Sequence, residues 1–250
     1  MPSFEDNFSN HAATYARYRP SYPDVLFERL REAAQACELA WDCGCGNGQS
    51  AVALAQHFAR VIASDASERQ ILHARRHRRV HYRVALAEAS GIPRSSVDLI
   101  IVSQSLHWFD LPRFYREVKT VLKSGGVIAA WCYDSTVIEP SIDQLLTRYG
   151  RTTVGPFWPS AARLAQKHYR GIPFPFKELK FPSFTAEAFW DLSELLGYLA
   201  SWSATQHFIR RNGYSPLDEL KGELSAVWGD PSSPRRIQWP LFLLVGRHWS

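Results

Sequence analysis

Short apolar runs alternate with amphipathic stretches along the first half of the chain. The runs at residues 39–43, 61–65, 81–84, 99–103 and 127–131 are typical of buried strands. Between them, residues 23–36, 49–58, a stretch that begins at Ser67, and residues 112–122 carry helical spacing or helix-start signals. This alternation predicts an α/β fold with a parallel sheet covered by helices on both faces.

The pattern changes after residue 131. Residues 132–185 are rich in proline and aromatic residues, and six of the nine tryptophans lie beyond residue 150. A helix is predicted over 186–202, and the apolar run 239–248 predicts a final strand that returns to the sheet. We therefore expect a single domain over 1–250, made of an N-terminal segment and first helix (1–37), a core (38–131), an aromatic-rich insertion (132–235) and a final strand (236–250).

Composition narrows the class of protein. The chain has 250 residues, of which 46% are apolar, so it can bury a full core. No apolar run approaches the length of a membrane helix, and the first residues do not resemble a signal peptide. Four cysteines are too few for a secreted disulfide framework. We expect a cytoplasmic protein without a membrane partner, and its oligomeric state is not readable from the sequence.

The net charge of +5 arises largely from the basic run "HARRHRRVHYR" at residues 73–83. The run is consistent with a nucleic-acid patch or with a solvated helix end, where cations complement the helix dipole. The solvated helix end is the preferred interpretation, so a nucleic-acid partner is not expected. His73 and His77 have the spacing of a metal pair, and Cys43 and Cys45 alternate, but neither pair has further ligands nearby, so we expect no metal site.

A glycine-rich loop follows the first predicted strand. Gly44, Gly46 and Gly48 stand at relative positions one, three and five, whereas a dinucleotide fingerprint requires one, three and six. Asp42 is expected beside the mouth of this loop, where its charge would repel a pyrophosphate and favour a cation.

A second carboxylate is expected at the neighbouring strand end. Asp65 follows Gly46 by the separation typical of an acid that accepts hydrogen bonds from ribose hydroxyls. A ligand with a ribose, a positive charge and no phosphate suits both carboxylates, and S-adenosylmethionine is such a ligand. The alternative is that Asp42 and Asp65 only cap the turns that follow them.

Five segments together resemble a known family. "LAWDCGCGNGQS", "VIASDAS", "ALAEASGIP", "VDLIIVSQSLHWFD" and "VLKSGGVIAAW" occur in the order and spacing of class I S-adenosylmethionine-dependent methyltransferases with a type 11 domain. The opening "YARYRPSYP" is similar to the subgroup that includes the yeast-type trans-aconitate methyltransferase. The resemblance implies a Rossmann-like, seven-stranded, mostly parallel sheet with an antiparallel last strand.

The resemblance also implies where the cofactor binds. Gly44 and Gly46 would approach the methionine part, and Asp65 with its neighbour Ala66 would hold the ribose. Ala87 and Glu88 fall where the adenine edge is read. Leu86 replaces an acidic residue common in relatives, so the backbone amide of Ala87 is the remaining candidate for that contact.

Further candidates come from the opening segment and from the fourth strand. Tyr15 and Arg19 lie in an extended segment that would fold over the cleft as a lid, with Arg19 either a partner of the methionine carboxylate or a plain surface arginine. Gln104 is expected to line the cofactor cleft. His107 is a candidate catalytic residue or a wall residue, and Trp108 a candidate wall of the acceptor pocket.

The methyl acceptor is expected to be a small molecule, with a carboxylic acid as the candidate because a carboxylate needs no general base. Aromatic walls are expected to exclude water, and the basic stretch 163–176 is a candidate for anion recognition or a solvated helix face. An RNA or protein methyltransferase and a non-catalytic cofactor-binding protein remain alternatives. The candidate aromatic walls are Trp108, Trp131, Tyr133, Phe157 and Trp158.

Overall fold

A computed structural model describes residues 18–133 and 135–249 and contains eight strands in that part of the chain. The first five lie where the apolar runs predicted them, and β5 and β8 extend beyond the predicted ends. Their bounds are β1 Leu39–Cys43, β2 Arg60–Asp65, β3 Val80–Val84, β4 Val97–Ser103, β5 Leu122–Cys132, β6 Lys177–Glu178, β7 Phe184–Trp190 and β8 Arg235–Arg247.

The four helices predicted in the first half are present. Ser67 caps α3 by accepting a hydrogen bond from the Gln70 amide, and Asp110 caps α4 by accepting one from the Arg113 amide. The helices of the described chain are α1 Asp24–Ala33, α2 Gln49–Leu54, α3 Glu68–Leu72, α4 Leu111–Val121, α5 Pro140–Arg148, α6 Ala162–Gln166, α7 Leu192–Ala200, α8 Ser203–Asn212 and α9 Leu217–Trp228.

Seven strands lie side by side in the order β3-β2-β1-β4-β5-β8-β6, and β7 also pairs with β8. The pairs from β3 to β5 are parallel, whereas β8 runs antiparallel to β5. β6 and β7 pair with successive parts of β8. The prediction of a mostly parallel sheet whose last strand is antiparallel is confirmed.

The helix predicted over residues 186–202 is wrong for its first five residues, 186–190. Residues up to Trp190 form β7, which pairs with β8 from Phe184↔Leu241 to Trp190↔Arg235. Helix α7 begins only after Asp191, whose side chain forms a capping box with Glu194. Pairing with a strand near the end of the chain decides this segment, and such a long-range partner is invisible to a local pattern.

The sheet divides the core into two faces. On one face, Ala40 of β1 packs in a cluster with Leu26 of α1 and Leu54 of α2. On the other face, Trp41 packs against Phe114 of α4, with ring centroids 6.4 Å apart. Because all five residues of β1 are buried, this strand is apolar throughout apart from Asp42.

Residues 132–235 contain β6 and β7, which pair with β8, and helices α5 to α9, which form a layer beside the sheet. α9 packs against α5 and α7, and α7 packs against β7. The short α6 packs near residues 106–108, which follow β4. This layer therefore stands next to the carboxyl ends of the parallel strands, where open α/β folds bind ligands.

The start of β1 depends on a buried carboxylate. Asp98 accepts hydrogen bonds from the amides of Glu38 and Leu39, both at 2.9 Å, and forms an ion pair with Lys123 at 2.8 Å. We expect Asp98→Ala to lower the free energy of unfolding by about 2–4 kcal/mol, because two amides lose a charged acceptor. Lys123→Ala, which removes only the partly exposed cation, should cost about 1 kcal/mol or less. Urea denaturation measures both, and equal losses would contradict the assignment.

Candidate functional site

The loop between β1 and α2 requires its glycines. Gly44, Gly46 and Gly48 have φ values of 70°, 52° and 77°, a region that other residues rarely adopt. A Cβ on Gly44 would also lie 2.5 Å from the Ser105 hydroxyl oxygen, and one on Gly48 would lie 2.1 Å from the Tyr82 hydroxyl oxygen. The glycines therefore let this loop turn tightly at the carboxyl end of the sheet.

Asp65, the last residue of β2, holds the loop. Its carboxylate accepts one hydrogen bond from the Gly46 amide and one from the Ser67 amide, both at 2.8 Å. Each carboxylate oxygen has a second lone pair, so a bound hydroxyl can also be accepted. Asp65 therefore lies beside the glycine loop at the neighbouring ends of β1 and β2, and its contact with a ribose stays a prediction.

A cavity of about 730 Å³ opens beside this loop, and we call it the glycine-loop cavity. Its walls come from the glycine loop, the ends of β2 and β4, the residues that follow β3, the start of α4, the residues just before α6, and single side chains of α3 and α8. Most residues that the sequence assigned to the cofactor line it together: Gly44, Gly46, Asp65, Ala66, Ala87, Glu88, Gln104 and also Trp108. Tyr15, assigned to the same role, lies outside the described residues.

The position of Asp42 differs from the expectation. Its side chain is completely buried and is absent from the residues lining either cavity described here, so it cannot touch a ligand at the mouth of the loop. No hydrogen bond of ordinary geometry reaches either of its carboxylate oxygens in the described chain, and the nearby Ala51 amide lowers its pKa by less than burial raises it. Burial, followed by the nearby charge of Asp65, raises the pKa of Asp42 to about 8. The sequence pattern could not reveal the burial of Asp42, because the pattern does not show that β1 is covered on both faces.

The wall of the glycine-loop cavity formed by the residues after β3 is tied to the start of α4. Leu86 and Ala87 line the glycine-loop cavity, and Leu86 is 48% exposed. Glu88 accepts a hydrogen bond from the Asp110 amide at 2.8 Å, which ties this wall to the start of α4. The carboxylate of Glu88 therefore has a structural partner as well as a place on the cavity wall.

A second cavity of about 440 Å³ lies next to the first, and we call it the aromatic cavity. Gln104 and Trp108 line both cavities, so they form the wall between them. Gln104 has a φ of 55° and donates from its side-chain amide to the Tyr133 carbonyl at 3.1 Å. This side chain is held at the junction by a backbone conformation that residues other than glycine rarely adopt.

His107 lines the aromatic cavity. Its Nδ1 lies 3.2 Å from the Tyr169 hydroxyl, and burial lowers the pKa of His107 to about 4. The ring is therefore neutral at pH 7 and a weak proton acceptor. His107 is placed to contact a ligand in this cavity, as expected for a wall or catalytic residue.

Arg19 lies in the aromatic cavity rather than in the glycine-loop cavity, where the sequence assignment to the cofactor would place it. Its guanidinium donates to the Tyr133 hydroxyl at 3.0 Å and stands 5.5 Å from the centre of the Tyr198 ring. The extended segment around it also contacts the glycine-loop helix, since the Gln49 side chain donates to the Pro20 carbonyl and the Ser21 hydroxyl. This segment therefore contacts both the aromatic cavity and the glycine-loop helix.

Three of the five candidate aromatic walls line the aromatic cavity, namely Trp108, Tyr133 and Trp158. Trp131 is instead fully buried in the core, and Phe157 packs against Phe208. Sequence reasoning missed Tyr198 and Trp202, which line the cavity from the helical layer. Their spacing of four residues in a segment predicted to be helical was the available signal, because it would place both on one face.

The basic stretches do not build the site. Arg163, Lys167, His168 and Arg170 are absent from the lining of both cavities, although Gln166 of the same helix lines the aromatic cavity. Arg151, which the sequence did not single out, lines that cavity together with Asp143. The run 73–83 begins at the end of α3 and continues into the edge strand β3.

The described part of the chain lacks two features, a metal-binding cluster and a membrane-spanning helix. Within residues 18–133 and 135–249, no three histidine, cysteine or acidic side chains cluster closely enough to hold a metal ion. In the same part of the chain no helix combines the length and the apolar character needed to cross a membrane.

Comparison with known proteins agrees with this architecture. The type 11 methyltransferase domain model matches residues 41–130. A structure from Anaeromyxobacter dehalogenans, provisionally described as a type II methyltransferase, superposes with a TM-score of 0.86 at 43% identity, covering 92% of this chain and 98% of the other. A Dictyostelium discoideum protein, provisionally named a methyltransferase, is 29% identical over 98% of this chain and 95% of its own length.

A Saccharomyces cerevisiae protein, provisionally named the S-adenosylmethionine-dependent methyltransferase CRG1, is also 29% identical, over 96% of this chain and 97% of its own length. The sheet order and the glycine loop define the Rossmann-like class I methyltransferase fold. The chain belongs to the methyltransferase family.

The buried carboxyl of Asp42 should make stability depend on pH. An acid whose pKa is raised in the folded state contributes stability that is greatest below its unfolded pKa near 3.8 and is lost as pH rises through about 8. We therefore expect Asp42→Asn to gain stability relative to the parent chain as pH rises from about 4 to about 8, by at most about 1.4 kcal/mol per pH unit. Urea denaturation at several pH values measures the difference, and a difference independent of pH would contradict the burial assigned to Asp42.

Proposed function

We propose that this methyltransferase binds S-adenosylmethionine in the glycine-loop cavity and methylates a small carboxylic acid held in the aromatic cavity. The observation that carries the proposal is the shared wall of Gln104 and Trp108, which places the two cavities in contact. A donor in one cavity and an acceptor in the other can therefore meet without solvent between them.

The charges of the glycine-loop cavity suit this cofactor better than a dinucleotide. Asp65, Glu88 and Asp110 line the cavity, and Arg113 is its one arginine or lysine among the described residues. A pyrophosphate would be repelled by three carboxylates, whereas a sulfonium and an ammonium would be attracted. Asp42, buried beneath the loop, adds to this preference when it is ionised.

Different residues of the cavity contact the ribose, the adenine and the methionine part of the cofactor. Asp65 accepts hydrogen bonds from the ribose hydroxyls while it holds Gly46. Leu86 and the backbone of Ala87 form the adenine side of the cavity. Gly44 and Gly46 allow the methionine part to approach the backbone closely, because they have no side chains in the way.

The chemistry needs positioning more than proton transfer. When bound, S-adenosylmethionine supplies an electrophilic methyl group, and the reaction forms a carbon–oxygen bond, breaks the carbon–sulfur bond and leaves a methyl ester and a neutral thioether. A carboxylate is already ionised at neutral pH, so no residue has to remove a proton. Trp108, Tyr133 and Trp158 provide a largely apolar surface that excludes water around the acceptor.

Arg19 is the residue that selects an acid. Its guanidinium is held between the Tyr133 hydroxyl and the Tyr198 ring, so little side-chain freedom is lost when an anion binds. Arg151 gives the same cavity a second cation, against the single carboxylate of Asp143. The resemblance to the trans-aconitate subgroup supports the same acceptor class.

A polyanionic acceptor such as RNA is less well supported. The basic residues of the run 73–83 lie along β3 and the turn before it, and none of them lines either cavity. A methyltransferase that used them for its substrate would need them near the transferred methyl group. Methyl transfer to a generic RNA with a steep dependence on salt would favour that alternative instead.

We expect Asp65→Ala to weaken binding of S-adenosylmethionine at least tenfold, because the ribose loses a charged acceptor and the glycine loop loses its bond to the carboxylate. Calorimetry measures the dissociation constant. Asp230→Ala is the matched control, since Asp230 also accepts a hydrogen bond from a backbone amide but lines neither cavity. Equal affinities for the parent chain and Asp65→Ala would remove Asp65 from the ribose.

A screen for methyl uptake should find activity with small carboxylic acids and little with their amides or esters. In Arg19→Gln we expect the KM for the acid to rise at least tenfold, while the dissociation constant of S-adenosylmethionine changes less than threefold. Arg29→Gln, which alters an exposed arginine paired with Glu32, is the control. The opposite result, weaker cofactor binding with an unaltered KM for the acid, would contradict this role. It would support the alternative from the sequence, in which Arg19 pairs with the methionine carboxylate.

A further inference from the structure

Tyr169 reaches the site through an unusual stretch of backbone. His168 and Tyr169, which follow α6, have φ values of 56° and 57°, so two successive residues other than glycine are left-handed. Each such residue costs on the order of 1 kcal/mol or more and persists only where the surrounding structure holds it. The Tyr169 side chain is 1% exposed, and its hydroxyl lies beside His107. The strained backbone therefore places the buried Tyr169 hydroxyl beside the His107 ring.

The hydrogen bonds of that hydroxyl have a direction. The Leu106 amide, at the start of the short helix Leu106–Trp108, has no partner within its own helix and lies near enough to the Tyr169 oxygen to lower the pKa of that hydroxyl as a donor would. A tyrosine hydroxyl has one proton, which is then available for the second neighbour, the Nδ1 of His107 at 3.2 Å. An Nδ1 that accepts a hydrogen bond carries no proton, so in a neutral ring the proton is on Nε2.

We propose that Tyr169 is a positioning residue that holds His107 as the Nε2–H tautomer, and that His107 donates a hydrogen bond from Nε2 to an oxygen of the methyl acceptor. The Nδ1 edge faces Tyr169, which does not line the aromatic cavity, whereas His107 itself does. The free nitrogen is thus the atom available to a ligand. The part of this proposal that concerns the acceptor rests on the proposed function.

The charge states of His107 and Tyr169 are consistent with a hydrogen bond donated by the Tyr169 hydroxyl to the His107 Nδ1. Burial lowers the pKa of His107 to about 4 and raises the pKa of Tyr169 well above its usual value, so both groups stay neutral at pH 7. The charged groups lining the same cavity are Arg19, Arg151 and Asp143. Two of these three are cations, which also oppose a further positive charge on the ring.

If His107 donates a hydrogen bond and does not act as a general base, the class of methyl acceptor is restricted. An acceptor whose nucleophilic oxygen must first lose a proton would find no group on His107 to take it at neutral pH. An acid that is already ionised can instead receive the guanidinium of Arg19 and the N–H of His107 on its oxygens. His107 therefore selects pre-ionised acceptors over alcohols and neutral phenols.

Nitrogen NMR of histidine-labelled protein tests the tautomer without any substrate. We expect the signals of His107, identified by their loss in His107→Gln, to be those of the neutral Nε2–H form from pH 8 down to about pH 5. Tyr169→Phe should convert them to a mixture of tautomers. Tyr115→Phe is the matched control, since it removes another buried hydroxyl of the same core cluster that makes no hydrogen bond in the described chain and lines neither cavity. An Nδ1–H form in the parent chain, or titration near pH 6.5, would overturn the proposal.

Two substitutions at His107 test the contact with the acceptor. The side-chain amide of glutamine reaches the position of Nε2, whereas that of asparagine reaches the position of Nδ1. We expect His107→Gln to keep the KM for an acid within about threefold and His107→Asn to raise it about tenfold, which corresponds to about 1.4 kcal/mol. Equal KM values for the two variants would overturn the contact. A parent chain inactive with all acids would contradict the proposed function, whereas the NMR result would still decide the tautomer.

Discussion

The hydrogen bond from the Gly46 amide to the Asp65 carboxylate is the contact on which the site depends. It spans 19 residues of sequence and ties the loop after β1 to the end of β2. The parallel pairing of β1 with β2 brings the two ends together, and the left-handed glycines let the loop turn back toward the carboxylate. A single charged acceptor thus holds the glycine loop and also lines the cavity beside it.

The second half of the chain adds what the sheet alone lacks. The parallel sheet provides the glycine-loop cavity, and the helical layer, with Tyr198 and Trp202, closes a separate aromatic cavity around Gln104 and Trp108. Because the two cavities share a wall, the position of one ligand determines the geometry available to the other. The segment around Arg19 completes this arrangement, since it contacts the glycine-loop helix at Gln49 and the aromatic cavity at Tyr133.

Electrostatics separates the two cavities as clearly as shape does. Carboxylates predominate around the glycine loop and arginines in the aromatic cavity, so under the proposed function a cationic donor and an anionic acceptor would each meet the opposite charge. Between them stand Gln104 and Trp108, neither of which carries a charge. A neutral, dry boundary suits a reaction in which a positive and a negative charge disappear together.

Local patterns in the sequence were sufficient to predict much of the fold and part of the candidate site. The strand runs, the cap at Ser67 and the separation of Gly46 and Asp65 all follow from neighbouring residues, because periodicity, capping and strand ends are local properties. The same patterns could not determine the fate of residues 186–190, the burial of Asp42, or the place of Arg19. Each of these depends on a partner far away in the chain: β8 for the strand, helices on both faces for the aspartate, and Tyr133 and Tyr198 for the arginine. Long-range packing decides them, since a side chain has no burial or direction until the elements that enclose it have come together.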